Sequence, residues 1–476
     1  MAECGPWCAT SDHEPVPRDI SFYSYRSRTF QVFCEIASVE TCTLMNCLGY
    51  GSHIRQARRD VYREMDEVVN LRSRGAIVIT TGSKAEGLTS IYENDLDQMF
   101  VLEGLICLED CVNTDTLPMD TIVFTLDTSV CYHGHCRLNL LERGSIFSPK
   151  LRDVMCLDEK GHILLSSDLI VNMRDQIQLE DDEVRHERAG PSTPSSYGPM
   201  HTDIVFSVRC QCPCILSRWA ERSRHWPPPD IVQKVVTMGA FVTPVGFKGS
   251  EYKHVEWRIC FNTAEIELVS SLNDIQIYIY VILKMVIKDV LKPIKKEITS
   301  YAVKNIVFWL AENNPIAQFD ENCSLFYWLR KGLEQLRTAI LKIHLPYYMI
   351  PERNLMEACG LDAEQKRTWA KTITDMMDEG PKILLRLPKI RKAIISYPEP
   401  LIWYIKRKLD LELLLMKGWI RCMQCMGENR VVNTSDSVLT LITGRQIETL
   451  NEVLQRMHEE DSLVGEPINI RNMMMM

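Results

Sequence analysis

The sequence predicts an α+β, bilobed protein: a mixed β-sheet N-terminal lobe backed by a long spine helix, then a helical C-terminal lobe. Three observations carry this. Residues 54–74 (IRQARRDVYREMDEVVNLRSR) place Ile54, Val61, Met65, Val68 and Leu71 at spacings of seven, four, three and three, an apolar stripe of helical period. Runs rich in β-branched and aromatic residues follow (AIVIT, DQMFVLEGLICL, TIVFTLD and HTDIVFSVRC), each bounded by turn residues, which is strand composition. From about residue 263 helical patterns take over: AEIELVSSLNDIQIYIYVILKMVIKDVL, SYAVKNIVFWLAEN, SLFYWLRKGLEQLRTAILKIHL and TLNEVLQRMHEE.

Element by element, AIVIT (76–80) is a short strand entering a Gly-Ser turn, and the next two runs continue the sheet. The segment 180–199 (EDDEVRHERAGPSTPSSYGP) is polar and rich in Pro and Ser, a flexible loop or disordered insertion, after which 201–210 resumes strand character. WPPPD (226–230) is a sharp breaker before an apolar, β-branched stretch. The boundaries read as an N-terminal segment 1–50, a first lobe 51–262, a helical lobe 263–460 and a tail 461–476.

The chain of 476 residues is long enough for two domains, with 46% hydrophobic and 25% charged residues, an ordinary soluble balance. Neither a membrane span of roughly 18 apolar residues nor a secretory leader is visible, so the expectation is no membrane partner and a cytoplasmic or nuclear location. The 18 cysteines then read as reduced thiols. Net charge is −9, which excludes a globally basic nucleic-acid binder but not local patches. Basic residues cluster at Arg55, Arg58, Arg59, Arg63, Arg72 and Arg74, at Arg218, Arg222 and Arg224, and at Lys389 to Lys408. Solvated helix faces account for most such runs.

The stretch TGSKAEGLTSIYENDLDQMF (81–100) is where chemistry concentrates. In a strand, Asp95 and Asp97 project on one side, where two carboxylates repel unless a cation lies between them. Mg²⁺ takes oxygen ligands and keeps contacts for substrate phosphates. Gly82 lets backbone approach a phosphate, and the Ser83 hydroxyl with neighbouring N–H groups can bond its oxygens. Two solvated acids on a hairpin are the plainer alternative. A two-metal site needs a third carboxylate, for which Asp203, opening an alternating apolar run, is the candidate, against a strand-entry Asp that merely caps a turn. CQCPC (210–214) offers Cys210, Cys212 and Cys214 without a clear fourth ligand, and CYHGHC (131–136) is too tight for a usual finger and reads as a loop.

Together with GSKAEG…DLD, EWRICFNTAEIELV (256–269) resembles the x-W-R-x-S-F-S-x-x-E segment of the nucleotidyltransferase branch containing cyclic GMP-AMP synthase (cGAS), cGAS-like receptors and the male-abnormal (Mab) developmental proteins. The next helix and SYAVKNIVFWLAENNP (300–315) are similar to later landmarks in the same order, over roughly residues 50–345. The resemblance implies a nucleotidyltransferase fold, with Asp95, Asp97 and Asp203 holding two Mg²⁺ or Mn²⁺ ions. It implies nucleotide contacts from Gly82, Ser83, Arg258, Glu265, Lys284, Ser300 and Tyr301, the last stacking on a purine. Cys260 and Asn262 replace the family's two serines, which puts base choice in doubt. LKPIKKEITSYAVK lacks the Cys and His of the vertebrate zinc insertion, so no zinc is expected.

The function so implied is that of a nucleic-acid sensor in innate immunity, joining two NTPs such as ATP and GTP into a cGAMP-like cyclic dinucleotide. Double-stranded RNA, or DNA, is the expected activating ligand, on Arg55, Arg58, Arg59 and Arg63, with ordering of the Lys84–Asn94 loop as the coupling step and oligomer formation on the ligand left open. The alternative is a catalytically silent Mab-type interaction or developmental protein. The C-terminal landmarks argue against a template-independent polymerase.

Overall fold

A computed structural model describes residues 28–460 except 74, 92, 94–95, 146–148, 176–182, 189, 198–199, 292–297, 320 and 428–430. The expected α+β architecture is found. Among the described residues eleven strands form one sheet: β1 (Ala76–Thr80), β2 (Leu96–Leu108), β3 (Ile122–Asp127), β4 (His135–Arg143), β5 (Met155–Leu157), β6 (Ile163–Leu165), β7 (Glu183–Arg185), β8 (Thr193–Tyr197), β9 (Met200–Gln211), β10 (Ala240–Thr243) and β11 (Glu256–Cys260). Their order is β1-β2-β3-β4-β11-β10-β9-β8-β7, with β5 and β6 beside β4. β2 also pairs with β9, so six strands close a circuit of hydrogen-bonded neighbours. β2 runs parallel to β3 and β9.

The spine helix spans Ser52–Asn70. Ile54, Val61, Met65 and Val68 are buried as the stripe requires, whereas Leu71 lies past the helix end and is exposed. Asn70 fixes that end, its side chain bonding both N and O of Val78 in β1. Residues 180–199 depart from the loop expectation. Their described parts include β7 and β8, a hairpin that extends the sheet beyond β9. Polar composition misled because an edge hairpin needs backbone pairing, not apolar side chains, to form. His135 and Cys136 of CYHGHC are likewise the start of β4, and the stretch after WPPPD begins as a helix, Pro229–Met238.

The helical lobe is built on Asp274–Met285, started by a capping box between Asn273 and Gln276. Nearly every side chain of this helix is buried, including Tyr278 and Tyr280, so it is the core of the lobe. Ser300–Asn313 and Leu325–Lys342 pack on it, and so does Arg28–Met45 from the N-terminal segment. The chain order thus does not divide the packing. Leu401–Gln424, late in the sequence, lies back along the spine helix, where Met416 and Ile420 pack with Val61, Tyr62, Met65, Val68 and Leu96. Ser437–Glu459 packs on its other side. No helix among the described residues is long and apolar enough to cross a membrane.

Candidate nucleotidyl-transfer site

The end of β1 is held from the spine helix, where Asp66 accepts the Thr80 N–H (2.7 Å) and hydroxyl (2.6 Å). Burial pushes the Asp66 carboxyl up to about 6, against the pull of these bonds. The chain then turns through a single helical turn, Gly82–Ala85, with Gly82 at φ +67. The Thr81 N–H donates to the Asp97 carbonyl at 2.8 Å, which lays this turn against the start of β2. A Cβ on Gly82 would collide with the Asp97 carboxylate. The absent side chain is therefore what lets carboxylate and turn share one space.

Asp97 and Asp203 are directly opposite in the parallel β2–β9 register. Opposite residues of a parallel pair face the same side, so both carboxylates reach one cleft. Ser192, just before β8, donates to Asp203 at 2.8 Å. Asp95 lies outside the described residues.

Beside these carboxylates is a cavity of about 380 Å³, lined by Gly82, Asp97, Asp203 and, from β11, Arg258 of the sheet lobe, and by Glu265, Tyr301, Lys304 and Arg353 of the segments that follow it. A second cavity of about 320 Å³ adjoins it through Arg258, Thr299, Tyr301 and Arg353. Tyr132 and Phe247, stacked at 4.1 Å, line the second. His135 also lines it. Burial, aided by Arg353 and Arg258, pushes its imidazole down to about 3, so the ring is neutral at ordinary pH.

The Lys284 ammonium donates to the Ser83 hydroxyl at 2.6 Å, so the helical lobe meets the Gly-Ser turn directly. Burial lowers the pKa of Lys284, with Glu86 opposing. Tyr301, Glu265 and Lys304 form a buried cluster: Glu265 accepts from the Tyr301 hydroxyl (2.6 Å), the Tyr347 hydroxyl (2.8 Å) and Lys304 (3.1 Å). Lys304 also pairs with Glu86 at 2.6 Å. Burial works against its charge, but the two carboxylates outweigh it and raise its pKa well above that of a free lysine. One ammonium thereby ties the Gly-Ser turn, the segment after EWRIC and the SYAVK helix together. Glu86, Lys304, Ser192 and Arg353 were missed in the sequence, although Glu86 and Lys304 sit inside GSKAEG and SYAVK.

Several expected contacts are placed differently. Ser300 is an exposed first residue of its helix and does not line the cavity, whereas Thr299 and Tyr301 do. Glu265 lines the cavity, but its oxygens are engaged by Tyr301, Tyr347 and Lys304, so it orders neighbours. Two of the four spine-helix arginines are not surface groups. Arg55 is buried and bonds Tyr50 O and Asp274. Arg58 is buried in a pair with Glu412 at 2.8 Å and also donates to Gly49 O. Desolvated and paired, neither can meet a nucleic acid without breaking the fold. Arg59 is half-buried, and Arg63 is exposed beside Asp60.

Residues 278–375 match the family model described as Mab-21 protein HhH/H2TH-like domain. That stretch covers the core helices of the helical lobe, and not β1, β2 or β9. A search of curated proteins finds no match.

Proposed function

We propose that the chain is a metal-dependent nucleotidyltransferase that makes a cyclic dinucleotide from two NTPs. The single observation that carries this reading is the seating of the Asp97 carboxylate in the space a Gly82 side chain would fill, with Asp203 opposite it in register. The Mab-21-type helical lobe is consistent with a nucleotidyltransferase-like fold.

The donor set suits a hard divalent cation: carboxylates of Asp97 and Asp203 face one cleft, which Gly82 of the adjoining turn also lines. Asp95 would complete the set. Mg²⁺ or Mn²⁺ held there would acidify an attacking hydroxyl and offset charge growing on the phosphoryl oxygens. The chain's own groups do the positioning. Gly82 and Ser83 would approach a triphosphate at the turn, with positive charge supplied beside it by Lys284, which bonds Ser83, and from β11 by Arg258. Tyr301 is fixed by its bond to Glu265, so its ring offers a preset face to a base. Two adjoining cavities that share Arg258 and Tyr301 suit two nucleotides held side by side. Activation by double-stranded RNA or DNA in immune signalling belongs to the same reading, with the ligand surface reduced to Arg59, Arg63 and their surroundings.

The test is incubation of the full chain with Mg²⁺ or Mn²⁺ and all four NTPs, with and without double-stranded RNA or DNA. A phosphatase-resistant dinucleotide is expected, and it should vanish in Asp97→Asn and Asp203→Asn variants that keep the parental Tm. A second reading, a catalytically silent Mab-type protein, is favoured by the engagement of Ser83 by Lys284 and of Asp203 by Ser192. It prevails if the folded protein binds nucleotide yet forms no product under any of these conditions.

A further inference from the structure

The CQCPC stretch finds its missing neighbours across the sheet. In the β2–β9 pair Cys107 stands opposite Cys210 and Leu108 opposite Gln211. The Glu109 N–H continues the ladder to Gln211 O at 3.0 Å. Just beyond, the Glu109 carboxylate accepts the Cys214 N–H at 2.7 Å, at the start of the Pro213–Ala220 helix. These bonds fix two chain ends side by side, and they bring the Cys111 and Cys214 sulfurs to 2.9 Å. Both thiols are exposed, whereas Cys107, Cys210 and Cys212 behind them are buried.

We propose that Cys111 and Cys214 are a reversible dithiol–disulfide pair, a modification site whose co-reactant is a low-molecular-weight disulfide such as oxidised glutathione. The sulfurs lie within roughly 1 Å of the ~2.05 Å disulfide bond length, and the strand register holds them there. In the first step one protein thiolate attacks the oxidant's S–S bond, forms a mixed disulfide and releases one glutathione thiolate. The second protein thiol loses its proton and attacks the protein sulfur of that mixed disulfide, releasing the second glutathione. Two protein thiols are oxidised to one disulfide, and one small disulfide is reduced to two thiols. The buried cysteines stay out because an oxidant cannot reach them. The hydrogen bond with Cys111, with Glu109 beside it, pushes the Cys214 thiol up to about 11. A thiol of high pKa attacks slowly at neutral pH and is a poor leaving group, so exchange at Cys214 is slow in both directions and reversal calls for excess reduced thiol. The disulfide would close the chain between the end of β2 and the helix after β9, a long loop whose closure restricts the unfolded state.

The experiment oxidises the full chain in glutathione buffers of graded ratio and reads intact mass, peptide maps and Tm. The expected result is loss of two hydrogens, a linked Cys111–Cys214 peptide and a raised Tm, all reversed by excess reduced glutathione. Cys111→Ser and Cys214→Ser should each leave a persistent glutathione adduct on the remaining thiol, with neither the linked peptide nor the rise in Tm. The proposal fails if iodoacetamide still alkylates both thiols after oxidation, or if the linked peptide joins other cysteines. It also fails if equimolar Zn²⁺ binds the untreated protein through Glu109, Cys111 and Cys214, whose donor atoms lie within 4.8 Å of one another, and protects both thiols. None of these readouts depends on nucleotide turnover.

Discussion

At the scale of single residues, Gly82 and Asp66 set how close the turn comes to the carboxylates. Gly82→Ala must either move the turn or push Asp97 aside, and its φ of +67 adds strain for any side chain. The expected outcome is a folded protein, destabilised by about 1–3 kcal/mol, whose Mn²⁺ affinity and product formation are lost together. Calorimetric Mn²⁺ titration and a urea melt check this. Asp66 predicts a pH dependence. Its folded pKa, about 6, lies above the ordinary 3.8, so it contributes stability that is complete below pH 3.8 and lost as pH rises through about 6. The parent's stability relative to Asp66→Asn should therefore fall between pH 4 and 7, by at most roughly 3 kcal/mol. Urea midpoints of both proteins across that range measure it, and a flat difference would show that the Thr80 bonds outweigh burial.

At the scale of elements, buried ion pairs join segments far apart in the chain. Glu412, on Leu401–Gln424, accepts from Arg58 on the spine helix and from the Ile91 N–H in the loop before β2. Lys389 holds the same loop through Glu93 at 2.6 Å. Lys84 donates to Ile91 O at 2.8 Å from within it. This loop is thus already anchored from two sides by C-terminal helices. Glu412→Ala leaves Arg58 charged, buried and without its carboxylate, and should cost about 3–5 kcal/mol. Hydrogen exchange should also quicken at Ile91. Unchanged exchange there would show that the loop is held without Glu412. Lys304→Met strands Glu86 and Glu265 in the same way, and a loss of about 3–5 kcal/mol in denaturant unfolding is expected.

At the scale of the whole molecule, the C-terminal helices cover the spine helix and leave a small basic surface on it. If Arg59 and Arg63 supply the phosphate contacts to a DNA duplex, the slope of log K against log salt should be roughly −2. The charge reversals Arg59→Glu and Arg63→Glu should abolish that dependence while leaving Tm within a few degrees. A slope much steeper places the ligand elsewhere. The same reversal at Arg58, attractive from the sequence, would instead test the stability of its pair with Glu412.

What the sequence by itself determined is local and periodic. The spine helix, β1, β2, β3, β9 and the helices Asp274–Met285, Ser300–Asn313, Leu325–Lys342 and the end of Ser437–Glu459 follow from apolar spacing and β-branched runs, because those patterns report which face of an element is dry. The juxtaposition of Gly-Ser with a D-x-D run was legible for the same reason, since turn and strand are adjacent in the chain. Three things waited for the tertiary structure. Asp203 opposite Asp97 depends on strand register, which no local pattern encodes. The burial of Arg55 and Arg58 depends on Asp274 and Glu412, distant acids that turn a basic stripe into internal pairs. The meeting of Cys111 with Cys214, and of Glu86 with Lys304 and Glu265, likewise joins chain segments whose separation in sequence hides their contact. Periodicity tells a residue which way it faces, and only packing tells it what it faces.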